Sequence, residues 1–262
     1  MLSRSPLRLA VAVAALALFA VPRAVSAQAS SLTINRCVLP GTIALTLDDG
    51  PWIWMNETVD ILRQYNARAT YFVVGNHESG KLGCIYSARQ AQALIRTKAA
   101  GHQIGSLTRS HPDLTEISNE QIGEELDRLN LATERILGVR PRYMRPAYGH
   151  MNSRVLAYLT SRGFLAIGWN ASPGDTVRTW TDAQRRQRIR NFAAQYPSPQ
   201  ISLLHETEVD STTANGLLEY SLQQYSKAGY RFVTLKECLN GTEEAYFSPM
   251  SKPQKRTSAW RC

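Results

Sequence analysis

The chain has 262 residues, 44% of them hydrophobic, with 30 Lys and Arg against 21 Asp and Glu for a net charge of +9 at neutral pH. That length and hydrophobic content predict one sizeable domain with a real core, and no internal repeat is visible. The basic excess has no Lys/Arg block or interleaved aromatic run, which argues against a nucleic-acid partner.

In chain order, Arg4 and Arg8, the apolar stretch Leu9 to Val21 and the small residues Val25-Ser26-Ala27 predict a secretory signal over residues 1–27. Its loss removes Arg4, Arg8 and Arg23, leaving about +6. No later stretch is long and apolar enough to span a bilayer, so the expected product is a secreted, monomeric protein of the extracellular space or cell wall. The domain is expected over residues 28–240, with a polar tail over 241–262.

Short apolar or β-branched runs predict strands at Thr42–Leu47, Ala69–Val74, Gly101–Ser106, Tyr143–Arg145, Phe164–Trp169, Gln200–Leu204 and Tyr230–Leu235. Helical patterns separate them. One runs from Ile117 to Leu137, opened by a Ser118/Gln121 capping box, with Ile122, Leu126 and Leu129 on one stripe. Another begins at Ser87. Strands alternating with helices predict a parallel α/β sheet with right-handed crossovers, and about seven strands favour a distorted (β/α) barrel in a single domain. Four cysteines on an export route favour disulfides. Cys37 precedes the first strand and Cys238 follows the last, so their bond would tie the domain ends together and leave Cys84 with Cys262. Asn56, Asn170 and Asn240 begin N-glycosylation triplets.

The chemistry gathers at one end of this sheet. Thr46-Leu47-Asp48-Asp49-Gly50-Pro51 places two carboxylates at the end of the first strand; His111 follows the third, Arg145 and Tyr148 the fourth, Asp175 the fifth and His205 the sixth. Singly, an Asp-Gly pair is a turn former and a histidine after a strand a core residue. Together, at the strand ends where barrel folds hold their sites, they predict a pocket with acid, base and metal-binding groups. Asp with His suits a divalent cation such as Zn²⁺, a spare carboxylate suits a general base, and a second His suits a general acid.

These residues, with Gly101-His102-Gln103-Ile104, Arg145-Pro146-Ala147-Tyr148-Gly149 and Glu237-Cys238-Leu239, resemble the polysaccharide deacetylases of carbohydrate esterase family 4, in particular the fungal chitin deacetylases. The resemblance spans about Thr42 to Leu239. It implies hydrolysis of N-acetyl groups on chitin or a related polymer with Zn²⁺ or Co²⁺ as cofactor. Asp48 would be the base, with Arg145 holding it ionised, and Asp49 and His111 would be metal ligands. The backbone of Tyr148 would face the oxyanion, and His205, oriented by Asp175, would be the acid. Trp169 and Leu204 would wall the acetyl methyl. Trp52 and Trp54, just past the Gly-Pro turn, are candidates for stacking on sugar rings or for core packing.

The second motif departs from the family pattern Asn-His-Thr-x-x-His-Pro, because Leu107 stands where the first histidine ligand belongs. Two protein ligands remain, against the three usual in catalytic zinc sites. His102 lies an odd number of residues from position 107 and so faces the other side of a strand, whereas His77 and His150 can approach the rim. The fourth motif keeps Asp175 but lacks the family's preceding Asp and following Trp. Three activities are compatible: a deacetylase with an atypical metal site, a carbohydrate-binding pseudoenzyme, and an O-acetyl esterase acting on acetylated xylan.

Overall fold

Eight strands, all paired in parallel, build the sheet of the computed structural model, which describes residues 33–77 and 83–262. They are β1 (Thr42–Gly50), β2 (Ala69–Val73), β3 (Gln103–Ser106), β4 (Tyr143–Met144), β5 (Leu165–Ala166), β6 (Gln200–Ile201), β7 (Leu204–His205) and β8 (Arg231–Phe232). The order is β5-β4-β3-β2-β1-β6, with β7 and β8 also on β1. The helices α1 (Met55–Gln64), α2 (Ala88–Ala99), α3 (Asn119–Leu137), α4 (Ser153–Ser161), α5 (Asp182–Ala193), α6 (Val209–Thr212), α7 (Leu217–Ala228) and α8 (Leu235–Cys238) complete a half-barrel with surrounding helices in one domain. The expected signal, residues 1–27, lies outside the described residues.

The eighth strand arises because the run expected at Gln200–Leu204 is interrupted. Ile43 pairs with Gln200, Ala44 with Ile201, Leu47 with Leu204 and Asp48 with His205, so β6 and β7 keep one register along β1. Between them Leu203 donates its N–H to Ala171 O at 2.9 Å. Ser202 still donates its N–H to Ala44 O of β1 at 2.9 Å, so the strand is interrupted without leaving β1 and continues in the same register to His205.

β1 is buried along nearly its whole length, which is why its sequence is continuously apolar or β-branched from Thr42 to Leu47. Ile43, Leu45 and Leu47 pack outward with Tyr71 and Val73 against Val59 and Leu62 of α1 and Leu222 of α7. Ala44 faces inward with Phe72, Val74, Leu107 and Ile201. The capping box at Ser118/Gln121 forms, and α3 ends at Gly138 in the left-handed region.

Both disulfides form, Cys37–Cys238 across 201 residues and Cys84–Cys262 across 178. The segment after Asn240 runs back over the fold. Phe247 packs edge-on against Phe164, Gln254 N–H bonds to Arg135 O at 2.8 Å, and Trp260 lies 5.3 Å from the Tyr86 ring. No helix among the described residues is long and apolar enough to cross a membrane.

Candidate active site

Adjacent residues of a regular strand point to opposite faces, so Asp48 and Asp49 could not both face one cleft. A bulge removes the conflict. Leu47 pairs with Tyr71 but Gly50 with Val73, so three residues of advance along β1 match two along β2. The surplus residue re-aims the side chain, and Asp49 adopts φ 66°. Both carboxylates then line a cleft of about 420 Å³ together with His111, Tyr148, Trp169 and His205.

Among the described residues, seven non-glycine residues have positive φ. Asn66, Asn215 and Asn240 belong to a residue type that tolerates this conformation. The other four, Asp49, Thr108, His111 and Tyr148, all lie at or beside the cleft. Unfavourable backbone gathered in one place marks a site whose geometry is imposed by its surroundings.

Asp48 and Arg145 form a buried pair, 4% and 1% exposed. Arg145 Nη1 donates to Asp48 Oδ1 at 2.6 Å and to Thr46 Oγ1 at 2.7 Å, and Nη2 donates to Gly168 O at 3.0 Å. The guanidinium stacks 4.3 Å from the Phe72 ring. Arg145 does not hold the carboxyl in the ordinary acidic range. Desolvation raises Asp48 to about 6, outweighing the lowering by Arg145 and His205.

His205 forms the opposite pair with Asp175, which is 3% exposed. The His205 backbone N–H donates to Asp175 Oδ2 at 2.7 Å, and its Nδ1 lies 3.1 Å from Oδ1. Ser211 Oγ also donates to Oδ2, at 2.9 Å. Burial alone would lower the imidazole, but the hydrogen bond and charge of Asp175, with the charges of Asp48 and Asp49, raise it to about 9. A carboxyl that ionises near 6 and an imidazolium that persists to about 9 can act as base and acid at the same pH.

The metal-binding half of the cleft is less complete. His111 Nε2 lies 3.7 Å from Asp49 Oδ1, and Thr207 Oγ1 donates to Asp49 Oδ2 at 3.4 Å. At the third ligand position Leu107, 1% exposed, packs with Phe72, Val74 and Trp169. The other histidines are engaged elsewhere. His102 Nδ1 accepts from Ala69 N–H at 3.1 Å, His150 Nδ1 bonds to Asp113 Oδ2 at 2.5 Å, and His77 packs 5.6 Å from the Trp52 ring. Among the described residues no group of three or more His, Cys, Asp or Glu side chains is placed to hold a metal ion. This donor set does not fit a three-ligand catalytic metal.

The walls correct part of the sequence reading. Leu204 turns into the core against β1, and Leu203 lines the cleft instead. Strand parity carries that signal, because residues two apart share a face and His205 faces the cleft. Trp169 lines the cleft, and Gly149 (φ 74°) is required beside it, since a Cβ there would come within 2.7 Å of the Trp169 ring. Trp52 and Trp54 do not line the cleft; Trp54 caps the start of α1.

Sequence reasoning missed Glu206. This residue is wholly buried behind the β1 turn and accepts from Trp52 N–H and from Thr58 Oγ1, both at 3.4 Å. Burial raises its carboxyl to about 8. A Cβ on Gly50 would lie 1.9 Å from Glu206 Oε2, so the turn after Asp49 needs glycine. An acidic residue directly after a strand-end histidine was the available signal. Of the three glycosylation triplets, Asn56 and Asn240 are exposed. Asn170 is spent structurally, its Oδ1 accepting from Ile201 N–H at 2.7 Å and its Nδ2 donating to Pro199 O at 3.3 Å, which removes it as a glycan acceptor in the folded protein.

A sequence model of the polysaccharide deacetylase family matches residues 35–167. A chitin deacetylase of Colletotrichum lindemuthianum is 30% identical over 82% of this chain and 86% of its own. A chitin deacetylase of Pestalotiopsis sp is 32% identical over 82% of this chain and 69% of its own. The solved structure of the chitin deacetylase from the fungal pathogen Colletotrichum lindemuthianum superposes with a TM-score of 0.76, covering 82% of this chain and 95% of that one.

Proposed function

We propose, from the premise that this chain belongs to the polysaccharide deacetylase family, that it is a secreted hydrolase removing N-acetyl groups from chitin or a related N-acetylglucosamine polymer. The observation that carries this reading is the pair of proton-handling couples, Asp48 with Arg145 and His205 with Asp175, facing one cleft.

Asp48, ionised, takes a proton from a water molecule as the water oxygen attacks the acetyl carbonyl carbon. Charge gathers on the carbonyl oxygen, and the backbone N–H of Tyr148, on the same cleft wall, is the group of this chain that stabilises it. His205, protonated, gives its proton to the amide nitrogen as the C–N bond breaks, so acetate and a free sugar amine leave. Asp175 fixes the imidazole through Nδ1, leaving Nε2 for the transfer. Leu203 and Trp169 offer an apolar wall for the acetyl methyl. Each step uses side chains and backbone of this chain and none runs through a metal, because the donors at Asp49 and His111 do not make up a three-ligand set.

Acetate release from N-acetylglucosamine oligomers tests the reading, with and without added Zn²⁺ or Co²⁺. Asp48→Asn is expected to lower release by at least about 10³-fold, since an amide cannot accept the proton. Undiminished release from that variant would remove Asp48 as the base. The rate should also rise with pH through about 6, as Asp48 ionises, and fall through about 9, as His205 loses its proton. A basic limb that stays in place in His205→Ala would contradict the acid assignment.

Leu107 favours a second reading, a protein that binds the glycan without turnover. Calorimetric binding of the oligomers with no acetate released at any metal concentration would select it.

A further inference from the structure

We propose that an arginine-lined hollow beside the cleft binds the carboxylates of an acidic glycan. The hollow measures about 240 Å³ and is lined by Arg109, Arg128, Arg135 and Arg261, with Tyr86 and Gly75. Arg128 and Arg135 stand seven residues apart on α3 and therefore share one face of the helix. Arg109 comes from the loop after β3. Arg261 comes from the far end of the chain, held in place by the Cys84–Cys262 bond and the packing of Trp260 on Tyr86.

Four guanidiniums around one hollow repel each other unless anions are supplied, and few are. Arg109 lies 4.0 Å from Glu125. Among the described residues, Arg128, Arg135 and Arg261 make no ion pair with a carboxylate, and Arg135 Nη1 donates only to Tyr86 Oη, at 3.3 Å. A surplus of planar, forked donors converging on a concave surface is suited to carboxylate, which accepts two parallel N–H bonds from one guanidinium.

The location favours a glycan as the source. Arg109 is two residues from His111, and Gly75 follows β2 at the same end of the sheet as Asp49. Ile85 lines both this hollow and the small recess shared by Asp49 and His77. A chain held by its acetylated sugar in the cleft would reach the arginines a residue or two along. The glycan part of this inference rests on the function proposed above, whereas the anion part does not.

Calorimetry on the full Asp48→Asn protein, in which turnover is suppressed, tests it with three probes: a hexamer of uronic acid, a neutral N-acetylglucosamine hexamer and inorganic phosphate. The uronate hexamer should bind, and lowering salt from ~0.2 M to ~0.02 M should tighten it by about tenfold, as expected for exposed charges. Arg128→Ala with Arg135→Ala should weaken that binding at least tenfold and leave the neutral hexamer unaffected. Arg128→Gln with Arg261→Gln guards against a folding defect in α3 and should weaken uronate in the same way. Arg231→Ala, at the opposite end of β1, should not.

No uronate binding at low salt, or equal binding by both double variants and the parent, would overturn the proposal. Phosphate binding without uronate binding would overturn the glycan assignment. If acetate release is never found but uronate binding still depends on these arginines, the anion site stands and the deacetylase reading fails separately.

Discussion

Arg145→Met is expected to lower the unfolding free energy by about 3–5 kcal/mol, the range for removing one partner of a buried ion pair. The guanidinium is 1% exposed and reaches Asp48, Thr46 and the carbonyl of Gly168 at once. Methionine fills much of the volume but leaves Asp48 in a desolvated pocket with only the more distant charge of His205 to favour its ionised form. The carboxyl, already raised to about 6 with arginine present, must move higher still. At neutral pH the base would then be protonated, so acetate release should fall at least about 10²-fold and recover partly on raising pH. Urea titrations and pH-rate profiles of the parent and Arg145→Met measure both effects. A variant with unchanged stability and an unmoved acidic limb would show that the pair does not govern Asp48.

Leu107→His has the second large effect, in the opposite direction. The substitution supplies a third donor to Asp49 and His111, and zinc affinity should rise at least about 10²-fold toward that of a three-ligand site. It also takes an apolar side chain from the contacts of Phe72, Val74 and Trp169 and buries a polar ring there. The metal-free variant should therefore lose about 1–3 kcal/mol of stability, regained when zinc binds. Leu107→Ala provides the control, with a similar stability loss and no gain in metal binding. Stoichiometric zinc, measured by calorimetry and elemental analysis, should accompany faster acetate release. Leu107→His protein that binds no zinc would mean that Asp49 and His111 are not oriented as ligands.

His205 also links stability to pH. Its folded-state value of about 9 lies above the ordinary 6.5, so its contribution is fully present below about 6.5 and is lost as pH rises through about 9. The shift corresponds to about 3 kcal/mol. His205→Ala should flatten that alkaline decline in unfolding free energy.

Much of this was legible in the sequence where local signals and burial agree. β1 and β2 are buried on both faces, so their apolar runs identify them directly, and the Ser118/Gln121 box announces α3. The grouping of Asp48, His111, Arg145 and His205 followed from strand ends alone. The interruption between β6 and β7 was not legible, because it depends on the carbonyl of Ala171, some thirty residues away in the chain. Nor was the direction of the Asp48 shift, since a sequence shows the arginine but not how completely water is excluded. Leu204 as a wall of the acetyl methyl is what the family resemblance implies, whereas strand parity with His205 points to Leu203, which lines the cleft.

The bulge in β1 has a consequence for how this chain can vary. Asp48 and Asp49 share the cleft only because β1 carries one residue more than its pairing with β2 uses. Deleting a residue that flanks the pair, Leu47 or Gly50, would restore regular alternation and send one carboxylate into the helix layer, although both aspartates are retained. The spacing of this stretch is therefore as much a determinant of the site as its composition, and a length change here would separate Asp48 from Asp49 more thoroughly than most substitutions.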